Sequence, residues 1–407
     1  MKCGLLGRKL GHSYSPQIHA QLADYPYALY EREPEQLEEF LKYGDFSGLN
    51  VTIPYKKDVI AYCSELSERA KKLGSVNTIV RRNDGSLIGH NTDYFGFLSM
   101  VERSGLSVAG KKVLVLGSGG ASVTAVAVLK ELGANVVVIS RTGENNYGNL
   151  YLHQDAAILV NTTPVGMYPA TGLSPIDLNQ LPHLEGVLDV IYNPARTQLL
   201  LDAEKRGLTT VNGLWMLVAQ AKESAEWFSG HRICDSVIQK IYTHLKRQME
   251  NVILIGMPGC GKSTIGKLLA EALNKAFIDA DAAITKEAGM PIPEIFARDG
   301  EPGFRAIESK VLSQLGRQSG YVIATGGGCV TKEENYNFLH QNGTIYWIQR
   351  DLHELPKDGR PLSQKNDLED MYRVRKPMYQ RFADHILQND RQPKDAVQQI
   401  IALEDGK

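Results

Sequence analysis

Two glycine-rich stretches carry the residues best suited to chemistry. Gly256-Met-Pro258-Gly259-Cys260-Gly261-Lys262-Ser263 satisfies the spacing GxxxxGK[ST]. The backbone N–H groups of such a loop converge on a phosphate, Lys262 reaches the β- and γ-phosphates, and the Ser263 hydroxyl suits Mg²⁺. Downstream, Phe277-Ile-Asp279-Ala-Asp281 sets two carboxylates two residues apart after a short apolar run. In an extended segment both would point to one side, one for a metal and one for a substrate hydroxyl. The other stretch, Gly117-Ser118-Gly119-Gly120-Ala121-Ser122, approximates GxGxxG with serine at the third glycine. Alone, that pattern also fits an ordinary strand-to-helix turn. About 20 residues on, where an NAD enzyme sets an acidic residue against the ribose 2′-hydroxyl, stand Ser140-Arg141-Thr142. Arginine suits a 2′-phosphate, so the expected dinucleotide is NADP(H).

The region before that loop supplies polar groups for a substrate. Ser13 and Ser15 stand near a helix start, where an anion is well received. Ser15-Pro16 also fits a plain N-cap followed by proline. Lys56 follows Asn50-Val-Thr52-Ile-Pro-Tyr, and Asp93 closes Asn91-Thr-Asp93. A lysine and an aspartate in a cofactor cleft form a plausible proton-transfer pair; the plainer alternative is an exposed lysine and a turn-forming aspartate.

These residues need particular elements to hold them. Val113–Leu116, Gly117–Gly120, Ala121–Leu132 and Asn135–Ile139 read as strand, turn, helix and strand, the order of a doubly wound fold. Further strands are expected near Leu49–Ile53, Thr78–Val80, Ala157–Val160 and Gly186–Ile191, with a hairpin turn at Arg82–Gly85. Helices are expected from about Pro16, over Leu214–Trp227 and over Ile233–Arg247. The strand Val252–Ile255 and the helix Ile265–Leu273 flank the second glycine loop. No Pro/Gly/Ser linker precedes Asn251. The fold class is therefore α/β: an N-terminal α/β substrate domain and a Rossmann-like NADP domain, then a P-loop NTPase-type domain. The boundaries expected are 1–106 (completed by helices at 214–249), 107–213 and 251–407.

With 407 residues, 45 Lys plus Arg and 46 Asp plus Glu, the net charge is −1. Bulk charge thus gives no case for nucleic acid or an anionic membrane, and any anionic ligand must be held by local basic groups. The five cysteines (Cys3, Cys63, Cys234, Cys260, Cys329) are odd in number, scattered and form no CxxC pair, which supports neither a zinc ribbon nor a disulfide framework and fits reduced thiols. No run approaches the ~18 apolar residues of a membrane span, so a cytoplasmic protein is expected, with its oligomeric state open.

From about Asn251 the chain resembles shikimate kinase, through the P-loop, Asp279-x-Asp281, Phe304-Arg305-x-x-Glu308, Gly326-Gly327-Gly328, Arg360-Pro-Leu and Arg375-x-Pro-x-Tyr379. The resemblance implies that Pro258–Thr264 bind ATP and that Ser263 and Asp279 serve Mg²⁺. It further implies that Asp281 binds the acceptor hydroxyl and helps deprotonate it, and that Arg305 and Arg375 clamp the shikimate carboxylate. Gly327 would back the ring, and Arg360 would reach the ATP phosphates from a lid. The segment Asp351–Asp367 is shorter than is usual in that family.

Across about Met1–Arg247 the chain resembles shikimate dehydrogenase, with further matches at Asn161-Thr-Thr-Pro-Val-Gly-Met167, Asp189-Val-Ile-Tyr192-Asn-Pro and Gly213-Leu-Trp-Met-Leu-Val-Ala-Gln220-Ala. This implies Lys56 as catalytic acid/base supported by Asp93, and Ser13 and Ser15 on the carboxylate. Thr52, Asn77, Asp93, Tyr192 and Gln220 would surround the ring hydroxyls, and Gly213 would border the nicotinamide. Two departures stand out: Ser140 occupies a position usually held by Asn, and Thr142–Asp155 is polar and short for a crossover helix. The expected protein is a bifunctional enzyme that reduces 3-dehydroshikimate to shikimate and phosphorylates shikimate at its 3-hydroxyl. The alternatives are a quinate/shikimate dehydrogenase fused to a related small-molecule kinase, or a nucleotide-sensing regulator; intact Lys56, Asp93, Lys262 and Asp281 oppose a pure sensor.

Overall fold

The computed structural model describes residues 1–11, 13–355 and 368–405. The chain forms two compact units: Met1–Val165 with Ser174–Tyr192 and Asp202–His244, and Leu245–Lys407 with Gly166–Leu173 and Asn193–Leu201.

The first unit holds two sheets. One comprises β1 (Cys3–Gly7), β2 (Tyr27–Glu31), β3 (Gly48–Val51), β4 (Glu65–Leu66), β5 (Thr78–Arg81) and β6 (Leu87–His90), in the order β2-β1-β3-β5-β6-β4. Strand β1 is parallel to β2 and β3, whereas β5 is antiparallel to β3 and β6. The β5–β6 hairpin closes through Arg82 N donating to Ser86 O (2.9 Å), with Gly85 at φ +84° as such a turn requires. Its core is apolar: Leu6, Phe40, Leu41, Phe46, Leu49, Val51, Val76 and Ile79 are all buried. The helices Asp93–Ser104 and Leu214–Ser229 pack on each other beside this sheet.

The other sheet is β7 (Lys112–Leu116), β8 (Asn135–Ile139), β9 (Ile158–Asn161), β10 (Gly186–Asp189) and β11 (Thr209–Val211), ordered β11-β10-β9-β7-β8 and parallel at every pairing. Helix Gly120–Glu131 follows β7. Between β8 and β9 the chain makes only a 3₁₀ segment, Tyr147–His153. The helix expected from Ile233 starts instead at Ser236. Ile233 N donates to Glu226 Oε1 (2.7 Å) and Asp235 pairs with Lys222 (2.7 Å), which ties that stretch back to the preceding helix.

The second unit is one parallel sheet, β12 (Asn251–Ile255), β13 (Ala276–Asp279), β14 (Tyr321–Ala324), β15 (Gly343–Gln349) and β16 (His385–Gln388), ordered β13-β14-β12-β15-β16. Its strands read as near-continuous apolar runs because both faces are covered; Val252–Ile255 and Ile345–Ile348 are fully buried. The helix after β12 spans Lys262–Leu273, starting three residues before the expected Ile265, because Gly261 at φ +100° delivers the chain straight into it. A 26-residue helix, Ile292–Arg317, kinks at Gly300. Among the described residues, no helix is long and apolar enough to cross a membrane.

Candidate active sites

In the first unit Lys56 and Asp93 meet: Nζ lies 2.6 Å from Asp93 Oδ2, with the side chains 27% and 15% exposed. Lys56 sits in the turn after β3, where its backbone is pinned by Val76 N donating to Lys56 O (2.8 Å) and by buried Tyr55 one residue before. Asp93 is the first residue of helix Asp93–Ser104. The preceding Thr92 belongs to a buried polar network. Asn77 Oδ1 accepts from Thr92 N (2.7 Å), and Ser224 Oγ touches Asn50 Nδ2 (2.7 Å), Thr78 Oγ1 (2.9 Å) and Thr92 Oγ1 (2.9 Å). Such a satisfied network in a dry interior is rigid, which suits a group that must hold a proton donor in place.

Tyr14 joins the remaining substrate candidates. Ser13 Oγ accepts from Ser15 N (3.2 Å), and the Tyr14 ring meets Tyr192 edge-on at 6.2 Å. Burial raises the Tyr192 phenol above its usual range. Ser15 is the first helical residue and Tyr14 the N-cap, so the N-cap reading of Ser15 does not hold; the Ser15 side chain is buried and makes no cap bond. Thr52 lies beside Gly7, where an added Cβ would fall 2.8 Å from Thr52 Cγ2. Gln220 Nε2 donates to Leu217 O (2.8 Å), while its backbone carbonyl receives Ser224 Oγ (2.9 Å).

The first glycine loop links β7 to helix Gly120–Glu131. Gly117 is at φ +102°, a conformation L side chains rarely adopt, and Gly119 is the N-cap with no side chain closing the helix end. A Cβ added at Gly119 or Gly120 would meet nothing within 4 Å, and Ser118, Gly119 and Gly120 are exposed. Ser122, at the third glycine position, is buried beside Ala121. This open N-terminal cradle fits a pyrophosphate. Arg141 and Thr142 are exposed after β8, but the Ser140 hydroxyl is engaged within its own loop, accepting from Gly143 N (2.9 Å). Gly213 caps helix Leu214–Ser229 where a Cβ would fall 2.0 Å from Val190 O, so only glycine fits.

In the second unit a cavity of about 470 Å³ is lined by the glycine loop, Asp279, Asp281, Arg305, Gly327 and Arg375. Lys262 Nζ donates to Gly256 O (2.9 Å) and Met257 O (3.0 Å) and is buried. Ser263 Oγ donates to Asp279 Oδ2 (2.7 Å), which unites the two groups suited to Mg²⁺; one or two protein ligands suffice for that ion. The two aspartates do not lie on one extended segment as their spacing suggested. Asp279 ends β13 and caps the next helix, its Oδ1 accepting from Asp281 N (3.0 Å), so Asp281 is helical. Both still line the cavity.

Arg305 is buried and forked between Glu308 (2.6 Å) and Glu301 (3.1 Å). Burial works against its charge, but the two glutamates more than offset it and raise its affinity for the proton. Burial likewise raises the Glu308 carboxyl. Arg375 Nη1 donates to Gly327 O (3.1 Å), and the Tyr379 hydroxyl donates to the same oxygen (2.5 Å). Each of the three glycines abuts a functional group. A Cβ would lie 2.8 Å from Asp281 Oδ1 at Gly326, 2.6 Å from Pro258 at Gly327 and 2.1 Å from Arg305 Nη2 at Gly328. Cys260 is buried and Thr264 exposed; Cys260 O accepts from Asn389 Nδ2 (2.8 Å). Arg360 lies outside the described residues.

Several contributors carried no assigned role in the sequence reading: Ser224, Glu308, Tyr379 and Asn389. Ser224 stands four residues after Gln220 and Glu308 three after Arg305, spacings that share a helix face, so both were within reach of pattern reasoning. Asn389 follows β16 and reaches the P-loop only through the fold.

The two units thus present a parallel-sheet dinucleotide-binding architecture with a lysine–aspartate pair and a P-loop phosphotransferase architecture, in one chain. Two family models match: "Shikimate dehydrogenase substrate binding domain" over residues 5–79 and "Shikimate kinase" over residues 258–404. Over 266 residues the chain is 38% identical to the shikimate dehydrogenase (NADP(+)) of Clostridium perfringens, covering 60% of this chain and 97% of that protein. Among solved structures, shikimate dehydrogenase 1 of Peptoclostridium difficile aligns with a TM-score of 0.56 at 36% identity, over 60% of this chain and 98% of that one. The Thermus thermophilus shikimate 5-dehydrogenase, solved with NADP(H) and shikimate, aligns at 0.55 and 29%, over 60% and 99%. The chain belongs to the shikimate dehydrogenase family over its N-terminal three-fifths, fused to a shikimate kinase domain.

Proposed function

We propose that this chain reduces 3-dehydroshikimate with NADPH and phosphorylates the resulting shikimate at its 3-hydroxyl with MgATP. The observation that carries the reading is that the product-forming pair Lys56–Asp93 (2.6 Å) and an intact P-loop cavity with two carboxylate-matching arginines occur in one chain. When bound, NADPH supplies the hydride to the 3-keto carbon. Lys56 delivers the proton to the carbonyl oxygen, and Asp93 holds the ammonium in line. Ser13 and Ser15 bind the carboxylate; Thr52, Asn77, Tyr192 and Gln220 face the ring hydroxyls. Gly117–Ala121 cradle the pyrophosphate with Gly213 beside the nicotinamide, and Arg141 with Ser140 and Thr142 takes the 2′-phosphate end.

In the kinase half, Arg305 and Arg375 bind the shikimate carboxylate as guanidinium forks, and Gly327 backs the ring. Asp281 accepts the proton of the attacking 3-hydroxyl as the γ-phosphoryl group passes to it and ADP leaves. Lys262 neutralises the developing phosphate charge, Arg360 completes the ATP site, and Ser263 and Asp279 hold Mg²⁺. The domain limits we propose are 1–106 with the helices at 214–249, 107–213 and 251–407. All five cysteines are free, in keeping with a cytoplasmic setting. Incubating the full chain with 3-dehydroshikimate, NADPH and MgATP should yield NADP⁺ and shikimate 3-phosphate together. NADPH oxidation without a phosphorylated product, or neither reaction, overturns the reading.

A further inference from the structure

Asp93 is held from both sides by one helix. The residue before it, Thr92, touches Ser224 Oγ (2.9 Å). The residue after it, Tyr94, lies under the Arg69 guanidinium, 4.8 Å from the ring centroid, and Arg69 in turn pairs with Glu223 Oε1 at 3.4 Å. Glu223 and Ser224 are adjacent on helix Leu214–Ser229, one turn beyond Gln220. Ser224 completes a buried hydroxyl network. Glu223 does something different: it sets a charge paired with the half-exposed Arg69, and its other oxygen, Oε2, is buried and unpartnered beside a small cavity shared with His90 and Trp227.

We propose that Glu223 is a positioning residue for the Lys56–Asp93 pair, acting through Arg69 and Tyr94, so that its protonation state sets how well Asp93 is held. The proposal rests on the dehydrogenase reading above. An ionised Glu223 anchors Arg69 over Tyr94, where a cation is attracted to the ring face. A neutral Glu223 offers Arg69 only a weak acceptor, and the cover over Tyr94 loosens.

The groups facing Glu223 are few. On its own helix are Lys222, which also pairs with Asp235, and Glu226; on helix Glu68–Leu73 are Glu68 and Arg69; on β6 is His90. Burial lifts the Glu223 carboxyl to about 7, with Arg69 and Lys222 pulling it down and Glu226 pushing it up. Burial pulls His90, stacked on Trp227 at 3.7 Å, down to about 4, so that ring stays neutral while Glu223 titrates.

The test is the pH profile of kcat for 3-dehydroshikimate reduction by the full chain. In the wild type, kcat should rise through about pH 7 as Glu223 ionises. In Glu223→Gln that rise should vanish, with kcat held about threefold to tenfold below the wild-type plateau and KM nearly unchanged, as expected for a small misplacement of the proton-transfer pair. Arg69→Gln, a change at a half-exposed surface position, should remove the same titration and serves should Glu223→Gln fold poorly. A wild-type profile retained in both variants overturns the proposal alone. A wild-type chain that does not reduce 3-dehydroshikimate overturns the functional reading and the proposal with it.

Discussion

Replacing Lys262 by Ala isolates one charge in the kinase site. The ammonium is buried and held by Gly256 O and Met257 O at 2.9 and 3.0 Å. A phosphate oxygen about 4 Å away would gain about 4 kcal/mol from it at an effective dielectric constant near 20. Weakening the bonds to the two carbonyls returns about 2 kcal/mol of that, which leaves about 2 kcal/mol, or roughly thirtyfold, as a floor. Preorganised charge aimed at a transition state is worth more, about 10²–10³-fold where it has been removed elsewhere. The expected fall in phosphorylation is therefore between about 30-fold and 1,000-fold. The substitution leaves two carbonyls bordering a cavity of about 470 Å³ with room for water, so the fold should survive. The assay is ADP release with shikimate and MgATP, with NADPH oxidation by the same preparation as the internal control. A fall of less than about fivefold would refute the assigned role of Lys262. An equal loss of both activities would show that the sites are coupled.

Lys56→Ala should lower reduction by about 10²–10⁴-fold and leave shikimate phosphorylation unchanged, measured on one preparation; near wild-type reduction would leave Lys56 a structural role only. Arg141→Ala should raise KM for NADPH far more than for NADH, and a wild-type preference for NADH would defeat the 2′-phosphate assignment. Three groups of the first unit bear on its acid stability. Burial pulls His19 down to about 3, against a smaller upward pull from Asn50, and His90 to about 4. Their contributions are complete above about pH 6.5 and are lost as the pH falls, because the unfolded rings take up protons first. Glu223, lifted to about 7, acts the other way between about pH 7 and 4.5, since the folded state then holds its proton. From these three groups, between about pH 6.5 and 4.5, the unfolded chain holds one proton more, a loss of about 1.4 kcal/mol per pH unit. Thermal unfolding of the wild type at about pH 7 and 5 checks the sign, and a rise in stability on acidification would refute it.

Much of this was legible because buried parallel strands announce themselves. Val113–Leu116 and Val252–Ile255 are β-branched and leucine runs followed by glycine, and both became interior strands paired on both sides. The polar, short stretch after Ser140 was rightly expected to hold no full crossover helix, and the chain makes a 3₁₀ segment there. What escaped were facts of tertiary origin. The start of the helix at Ser236 depends on Glu226 and Lys222 on a neighbouring helix, which no local pattern reports. Asp281 looked extended from its spacing, but the Asp279 side chain captures its N–H and turns the chain into a helix. Tyr14 sits between two serines that drew attention for their hydroxyls, yet it is the ring that brings Tyr192 to them.

The two glycine loops differ in what their glycines are for. In the second, Gly256, Gly259 and Gly261 all have positive φ, at +142°, +88° and +100°, and a Cβ at Gly256 would fall 2.4 Å from Ile348 O. The chain itself demands those residues, so a P-loop pattern reports a backbone shape first and a phosphate only through that shape. In the first loop only Gly117 is demanded in this way. Gly119 and Gly120 have ordinary dihedrals, lie exposed, and would accept a Cβ without touching any atom of the protein. Nothing in the fold explains their type, whereas the close approach of a dinucleotide's pyrophosphate to the helix N-terminus does. The pattern that is less specific as a string of letters is therefore the more direct witness to a ligand. Alanine at Gly119 should accordingly leave thermal stability unchanged and weaken NADPH binding, while alanine at Gly256 should destabilise the second unit outright.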